Sequence, residues 1–312
     1  MKIVYFATPK IALSTLEYLY NQDDVEVAAV VTQPDRPAGR GHKIAMSPIK
    51  EFAISHNIEV FQPEKIKEDK QCIEKLKEIN PDFFVTFAFG QILSQEVLDI
   101  PKNSTINLHG SLLPKYRGAN PIFRAILNGD TITGATTMKT DIGMDTGDIC
   151  LVEKINIDED MNGIELVEKF EQISPKLMYK TLKGLLNNEI KPIPQNSEIA
   201  TIAKKFKKQD GIIDWSKNAK ELHNQVRAMI IFPTAMTGFK GKSIKILKAK
   251  NIETSHNLTA GSVLAINKDG IDVAAGEKIL RIISVKPEGK GEMSAYAWSN
   301  GVGLKLGDKF GE

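Results

Sequence analysis

A doubly wound, mostly parallel α/β sheet followed by a small β-barrel is the fold this 312-residue sequence predicts. Two observations carry it. Over the first two thirds of the chain, strand-like apolar runs alternate with amphipathic helical patterns, as in a parallel sheet covered by helices on both faces. Over the last third, short alternating runs recur between glycine turns, the spacing of a small barrel. The length admits two domains with at least one full-sized core. A composition of 42% hydrophobic and 26% charged residues is that of an ordinary globular protein and fits no disordered class. The boundaries that follow are a first domain over 1–187, a polar linker over 188–203 and a second domain over 204–312.

The chain opens directly on a strand, Ile3-Val4-Tyr5-Phe6. It has no long apolar leader and nothing near the roughly 18 apolar residues a membrane helix needs, so a cytoplasmic protein without membrane contact is expected. Helical patterns at Ile11–Tyr20, Pro48–His56 and Glu64–Ile79 separate further strands at Val25–Thr32, Phe83–Phe89 and Thr105–Leu108, a Rossmann-like alternation. The usual ligand of such a sheet is a dinucleotide. The turn after the first strand is Ala7-Thr8-Pro9-Lys10, with none of the glycines of the GxGxxG fingerprint that lets a pyrophosphate approach, and this argues against NAD. The segment Gln33–Lys43 is rich in turn formers and basic residues, without apolar period, and reads as an exposed loop.

Thr105–Leu108 is a short β-branched and apolar run that stops at His109-Gly110, a buried strand delivering side chains to its carboxyl end. Open α/β sheets bind their ligands at that end. Asn107 and His109, two residues apart, point to one face of the strand, so a neutral donor and a titratable one can reach the same oxygen. A further strand, Gly134–Thr140, leads into Gly143-Met144-Asp145-Thr146-Gly147-Asp148, a turn whose glycines permit close backbone approach. If the two loops meet, Asp145 orients His109. Taken singly, His-Gly after a strand is most often an ordinary turn histidine and Asp-x-Gly an ordinary turn; joined, the pattern is far more specific. After the site, Asn120-Pro121 starts a helix with a capping side chain and a first-turn proline. Ile149–Ile157 is strand and Ile164–Leu186 a long helix.

Beyond the proline-bearing stretch 187–196, Lys204-Lys205-Phe206-Lys207-Lys208 is a basic run. Ser216 is the expected cap of a helix reaching Ile231, and Ile244–Leu247, Gly261–Ile266, Gly270–Ala274 and Lys278–Val285 are the barrel strands. The net charge of +2 hides an asymmetry: residues 1–203 hold 22 basic and 28 acidic residues, residues 204–312 hold 19 and 11. A basic last third hints at nucleic acid, because clustered Lys and Arg neutralise phosphates and release counterions. Cys72 and Cys150 have no CxxC partner and no metal-ligand spacing with the five histidines, so buried spectator thiols and no metal are expected. His42, His56, His223 and His256 are expected in surface or capping roles.

Asn107-x-His109, Ser111-Leu112-Leu113-Pro114, Arg117-Gly118-Ala119 and Asp145-Thr146-Gly147-Asp148 together resemble the signature of formyltransferases that use 10-formyltetrahydrofolate, and the resemblance runs over nearly the entire chain. It implies that the backbone about Phe87, Ala88, Phe89 and Gly90 lines the pterin pocket, with Ser111, Leu112, Leu113 and Pro114 as another wall. It implies an OB-like barrel whose basic face meets tRNA through Lys205, Lys207, Lys208, Lys240, Lys242 and Lys245. It also implies an inserted loop at the acceptor end of the tRNA, with Arg40 foremost, then Lys43 and Arg36. The co-substrate is then 10-formyltetrahydrofolate and the acceptor the free amine of methionyl initiator tRNA, handled by a monomer. A small-molecule formyltransferase or a formyltetrahydrofolate hydrolase on the same first domain is the alternative, and leaves the basic third unexplained. A non-catalytic RNA-binding relic would have lost the three site residues. Family members usually carry Gly-Thr-Pro-Asp where this chain has Ala7-Thr8-Pro9-Lys10, so that edge of the pocket differs.

Formyl transfer places negative charge on the formyl oxygen. An aminoacyl amine, with a pKa near or below the roughly 7.7 to 8.0 of an α-amino group, needs no strong base. Asn107 is the expected neutral oxyanion donor. His109 is expected as a donor that can be cationic and passes a proton to the leaving nitrogen, with Asp145 orienting it and favouring its imidazolium. A water chain takes the amine proton.

Overall fold

The computed structural model describes residues 1–38 and 43–311. The chain forms two compact units. The first contains Met1–Pro121, Gly134–Ile155 and Val167–Ala203; the second contains Ile122–Thr133, Asn156–Leu166 and the chain from Lys204 onward.

The first unit is organised on a seven-stranded sheet built from β1 (Lys2–Ala7), β2 (Glu26–Val31), β3 (Glu59–Phe61), β4 (Phe83–Phe87), β5 (Ser104–His109), β6 (Ile132–Lys139) and β7 (Ile149–Asn156), in the order β7-β6-β5-β4-β1-β2-β3. β1 pairs in parallel with β2 and β4, β2 with β3, and β4 with β5. β6 runs antiparallel to β5. The chain winds outward from β1 through β2 to β3, then returns to β4 on the other side of β1. At such a reversal the loops leaving the two strands diverge and open a crevice at their carboxyl ends. Parallel strands covered on both faces read as continuous apolar runs. Accordingly every residue of β4 is buried, and Phe6 packs on Phe84 and Phe89 with ring centroids 4.8 and 5.4 Å apart.

Local signals set the helix starts. Ser47 Oγ accepts the Lys50 N–H at 3.1 Å ahead of helix Pro48–Ser55. The helix expected over Glu64–Ile79 starts later, because Ile66–Glu68 forms a 3-10 turn and Asp69 caps Lys70–Ile79 by accepting the Cys72 N–H at 3.0 Å. A free hydroxyl or carboxylate at the cap satisfies N–H groups the first turn leaves unpaired, and here Asp69 wins over the apolar pattern upstream. Helix Pro121–Leu127 begins at the proline, and Gly163–Leu186 runs 24 residues with Pro175 inside it. Cys72 and Cys150 are free and buried; burial pushes their thiols up to about 12 and about 11. Among the described residues no helix is long and apolar enough to cross a membrane.

The second unit is barrel-like: antiparallel strands β8 (Met236–Phe239), β9 (Lys242–Ile252), β10 (Val263–Asn267), β11 (Gly270–Ala274) and β12 (Ile279–Pro287) in the order β8-β9-β12-β11-β10, with β13 (Met293–Ser294) on β12. Trp215, Phe239, Trp298 and Phe310 form its aromatic centre, with centroids 5.5 to 5.9 Å apart. The helix expected from Ser216 is Ala219–Ala228, and its cap is Asn218. Asn218 Oδ1 accepts the Lys220 N–H at 2.9 Å and Glu221 accepts the Asn218 N–H at 3.2 Å, a reciprocal arrangement. Ser216 instead turns its hydroxyl onto Asp214. His223, expected at a surface or cap, is 4% exposed, with Nε2 3.3 Å from Asp160.

Replacing Asn218 by Ala is expected to cost about 1 kcal/mol of stability. Ser216→Ala is expected to stay within about 0.5 kcal/mol of the parent; denaturant unfolding of the two variants distinguishes the caps.

Candidate active site

β4 and β5 deliver the central residues side by side at their carboxyl ends. Their parallel register sets Thr86 opposite Asn107, and the Thr86 hydroxyl donates to Asn107 Oδ1 at 2.9 Å. With Oδ1 taken, the Nδ2 hydrogens remain as the amide's donors. Two residues on, His109 is 5% exposed. Its Nε2 lies 2.9 Å from the Tyr116 carbonyl, and its Nδ1 lies 3.5 Å from Asp145 Oδ2. A carbonyl only accepts, so the ring proton sits on Nε2 and the Nδ1 lone pair faces the carboxylate.

Two loops supply these partners. Gly118 donates its N–H to Asp145 Oδ2 at 2.7 Å, which joins the loop after β5 to the loop after β6. Gly118 has φ +113°, and a Cβ there would come within 2.8 Å of the Ala203 carbonyl; only glycine fits. At Gly147 a Cβ would meet the Lys139 carbonyl at 1.9 Å. The turn between is pinned by Asp141, which accepts from the Gly143 N–H at 3.0 Å and the Thr146 hydroxyl at 2.7 Å. Tyr116 and Asp145, the two groups that flank His109, both hold left-handed backbone, φ +62° and +54°, a conformation that costs side-chain-bearing residues roughly 1–3 kcal/mol each.

Burial sets the resting ionisation of the His109 donor. Burial pushes the His109 imidazole below its ordinary value of 6.5; the nearby Asp145 charge and the Tyr116 carbonyl raise it, but not enough to offset the loss of solvent. His109 is therefore neutral near pH 7, with Nδ1 as its basic nitrogen. Burial likewise lowers His223, with Arg227 acting in the same direction.

The residues expected around the pterin lie at the same edge. Phe87 and Phe89 are each 4% exposed, with rings turned to Phe170 and Phe6, while Ala88 and Gly90 are exposed and carry φ +50° and +84°. Gly90 has no side chain, so its exposure is that of main chain, which suits a flat heteroaromatic ligand read by backbone donors and acceptors. The Phe89 carbonyl is already engaged by Gln33 Nε2 at 3.1 Å and Thr8 Oγ1 at 3.4 Å. Ser111 is fully buried; its hydroxyl donates to the Lys115 carbonyl at 2.6 Å and its carbonyl accepts the Thr136 hydroxyl at 2.6 Å. Leu113 is buried, and Leu112 and Pro114 are half-buried.

Of the basic residues, Arg36 is exposed and lies 3.5 Å from Glu64. Arg40 and the side chain of Lys43 lie outside the described residues, as does His42. In the second unit Lys205, Lys207, Lys208, Lys240, Lys242 and Lys245 are all exposed, and Lys240 lies 3.7 Å from Asp308. Two lysines escaped the sequence reading. β9 changes register around Leu247, so exposed Lys248 and Lys250 stay on the outer side with Lys245 while Ile244, Ile246 and Ala249 are buried. Lys245 pairs directly with exposed Lys286 of β12, a like-charge juxtaposition that costs stability without an anion. Thr86 was also missed, although a lone hydroxyl inside an apolar strand is a usable signal. Tyr116 and Gln195 carried no comparable mark.

A family model described as formyl transferase matches residues 1–182, and one described as formyl transferase, C-terminal domain, matches residues 205–303. The chain belongs to the formyl transferase family. Among curated relatives, methionyl-tRNA formyltransferase of Acetivibrio thermocellus is 45% identical over 313 residues, covering 100% of both chains. That of Clostridium botulinum is 46% identical over 291 residues, covering 93% of each. Solved structures of similar fold include WlaRD, a sugar 3N-formyl transferase determined with dTDP and 5-N-formyl-THF: TM-score 0.66, 22% identity, 93% of this chain and 99% of that one. The N-formyltransferase of Helicobacter canadensis, determined with folinic acid and dTDP-3-aminofucose, gives TM-score 0.65 at 24% identity, covering 90% and 99%. In this formyl transferase the three central side chains thus stand at the carboxyl edge of a doubly wound sheet, beside exposed Ala88 and Gly90.

NMR titration of the imidazole should place His109 below 6.5, and Asp145→Asn should lower it further by removing the charge that raises it. Because the folded value lies below that of the unfolded chain, acid favours unfolding: the stabilising share of His109 is complete above pH 6.5 and declines as pH falls toward the folded value. Melting curves collected between pH 7.5 and 5 read that slope, to which His223 contributes in the same sense.

Proposed function

We propose that this chain transfers the formyl group of 10-formyltetrahydrofolate to the free amine of methionyl initiator tRNA. The carrying observation is that the relatives matching both domains from end to end at 40–46% identity are named methionyl-tRNA formyltransferases. The formyltransferases of small sugars match at 22–24%. Residues 1–187 are read as the catalytic domain, 188–203 as its linker and 204–312 as the tRNA-binding domain. The exposed lysines of β9, with Lys286 of β12 beside Lys245, supply a reason for a polyanionic substrate. The protein is read as a cytoplasmic monomer, since its substrates belong to translation.

The folate donor presents an activated formyl carbon, with its pterin against the main chain of Phe87–Gly90 and the wall of Ser111–Pro114. Attack by the amine leaves negative charge on the formyl oxygen, and Asn107 Nδ2, oriented by Thr86, donates to it; one such donor is typically worth about 10²- to 10³-fold in rate. The new C–N bond leaves the attacking nitrogen with a proton to lose. Neutral His109 accepts it at Nδ1 through the expected water chain, since that nitrogen is turned to Asp145, forming an imidazolium beside the carboxylate, and returns it by the same route to the folate nitrogen as the C–N10 bond breaks. Asp145 therefore acts mainly after the proton has moved, and the ring stands behind the water chain as its base. A resting cation is not required, in agreement with the burial of His109.

The test offers 10-formyltetrahydrofolate with charged methionyl initiator tRNA, glycinamide ribonucleotide or water. Formyl-methionyl-tRNA should form, His109→Ala should lose about 10²- to 10⁴-fold and Asn107→Ala about 10²- to 10³-fold. Formate release alone, or transfer only to the small amine, would sink the assignment. Lys245→Ala should raise KM for tRNA, leave folate binding unchanged and reduce the salt slope by about 1. Arg40→Ala tests the inserted loop in the same assay.

A further inference from the structure

Residues 193–203 return across the first unit and grip both loops that flank His109. Ile193 and Ile149 exchange backbone hydrogen bonds at 2.8 Å. Gln195 Nε2 then donates to the carbonyls of Asp145 and Gly147, at 2.9 and 2.7 Å. Its Oε1 accepts from Arg117 Nε and from one terminal guanidinium nitrogen, at 3.0 and 2.8 Å. Arg117 is 6% exposed. Farther along, Thr201 Oγ1 accepts the Tyr116 N–H at 2.8 Å, the Thr201 carbonyl accepts the Arg117 N–H at 2.8 Å, and the Ala203 carbonyl accepts the Ala119 N–H at 2.9 Å.

We infer that Gln195 is a positioning residue for the His109–Asp145 pair, clamping the Asp145 loop to the Arg117 loop so that carboxylate and imidazole stay in register. Gln195 touches no reacting atom. It bonds the carbonyl of Asp145 itself, a residue whose backbone is held at φ +54°, and strained conformations persist where surrounding contacts over-determine them. An amide is the one neutral side chain of this length that donates twice to the Asp145 and Gly147 carbonyls while accepting twice from Arg117. A carboxylate keeps the second half and loses the first; an aliphatic chain loses both. Asp145 is the charged side chain that faces His109, and the Tyr116 carbonyl is its other polar neighbour.

The proposal rests on the proposed reaction, and its test is read in two ways so that the two fail separately. In the full-length protein, Gln195→Leu and Gln195→Glu should lower kcat about 10- to 100-fold, the scale at which misplacement by about 1 Å acts. KM for folate and for methionyl-tRNA should change less than about twofold. The acid limb of the pH–rate profile should move to lower pH as Asp145 drifts from the imidazole. NMR titration of His109 without substrate should show the same downward shift in the neutral Gln195→Leu variant, and a smaller one in Gln195→Glu because its added carboxylate acts the opposite way, whatever the enzyme's acceptor proves to be. A Gln195→Glu protein that keeps the wild-type kcat and His109 titration would overturn the proposal. So would a loss of rate with both pH readouts unmoved, which would make Gln195 a merely structural contact. A wild-type chain that formylates no tRNA, with the His109 shift still present in the variants, would remove the proposed reaction and leave the clamp standing.

Discussion

The hydrogen bond from the Gly118 N–H to Asp145, 2.7 Å long and spanning 27 residues of sequence, is the contact on which the site depends. It closes the distance between a loop leaving β5 and a loop leaving β6, and it does so with the same carboxylate oxygen that faces His109. A charged acceptor makes such a bond short and strong. The glycine at 118 is what lets the two backbones approach, since the Ala203 carbonyl lies where a Cβ would be. Remove that approach and Asp145 becomes one more exposed turn aspartate.

Burial then decides the chemistry. Solvent loss around His109 outweighs the pull of Asp145, so the pair rests as a neutral ring beside an anion. Such a pair is a proton acceptor whose product is an ion pair in a place poor in water, where the attraction is stronger than at a surface. Acyl transfer to an already neutral amine suits this arrangement, because the amine proton becomes acidic only once the new bond has formed.

The sheet was legible in the sequence because parallel strands buried on both faces are written as unbroken apolar runs, and Phe83 to Phe87 is the plainest of them. Asn107, His109 and Asp145 were legible as a set, by their spacing and by resemblance to a family, though their meeting in space is a property of the fold. The ionisation of His109 was not legible: proximity to an acid pointed upward, and only the degree of burial reverses the sign. Where signals competed locally the pattern misled, as at Asp69 and Asn218, whose caps override the apolar run upstream and the serine two residues earlier. Lys248 and Lys250 were hidden by the register change in β9, which a strict two-residue alternation does not anticipate. Gln195 was hidden for a different reason, since a polar residue among prolines looks like a solvated connector and its partners are 48 to 78 residues away.

The path of residues 193–203 also has a consequence for how this enzyme can be taken apart. The match to the amino-terminal family model stops at residue 182, and a border drawn there looks natural because the long helix ends at Leu186. Yet the backbone that braces the active-site loops lies beyond it, in the stretch that leads to the basic domain. A recombinant exchange that keeps this brace with the loops it holds is therefore joined after Ala203 and not at the helix end. A chimera joined at 187 would inherit a complete sheet from one parent and the brace of the Arg117 and Asp145 loops from the other.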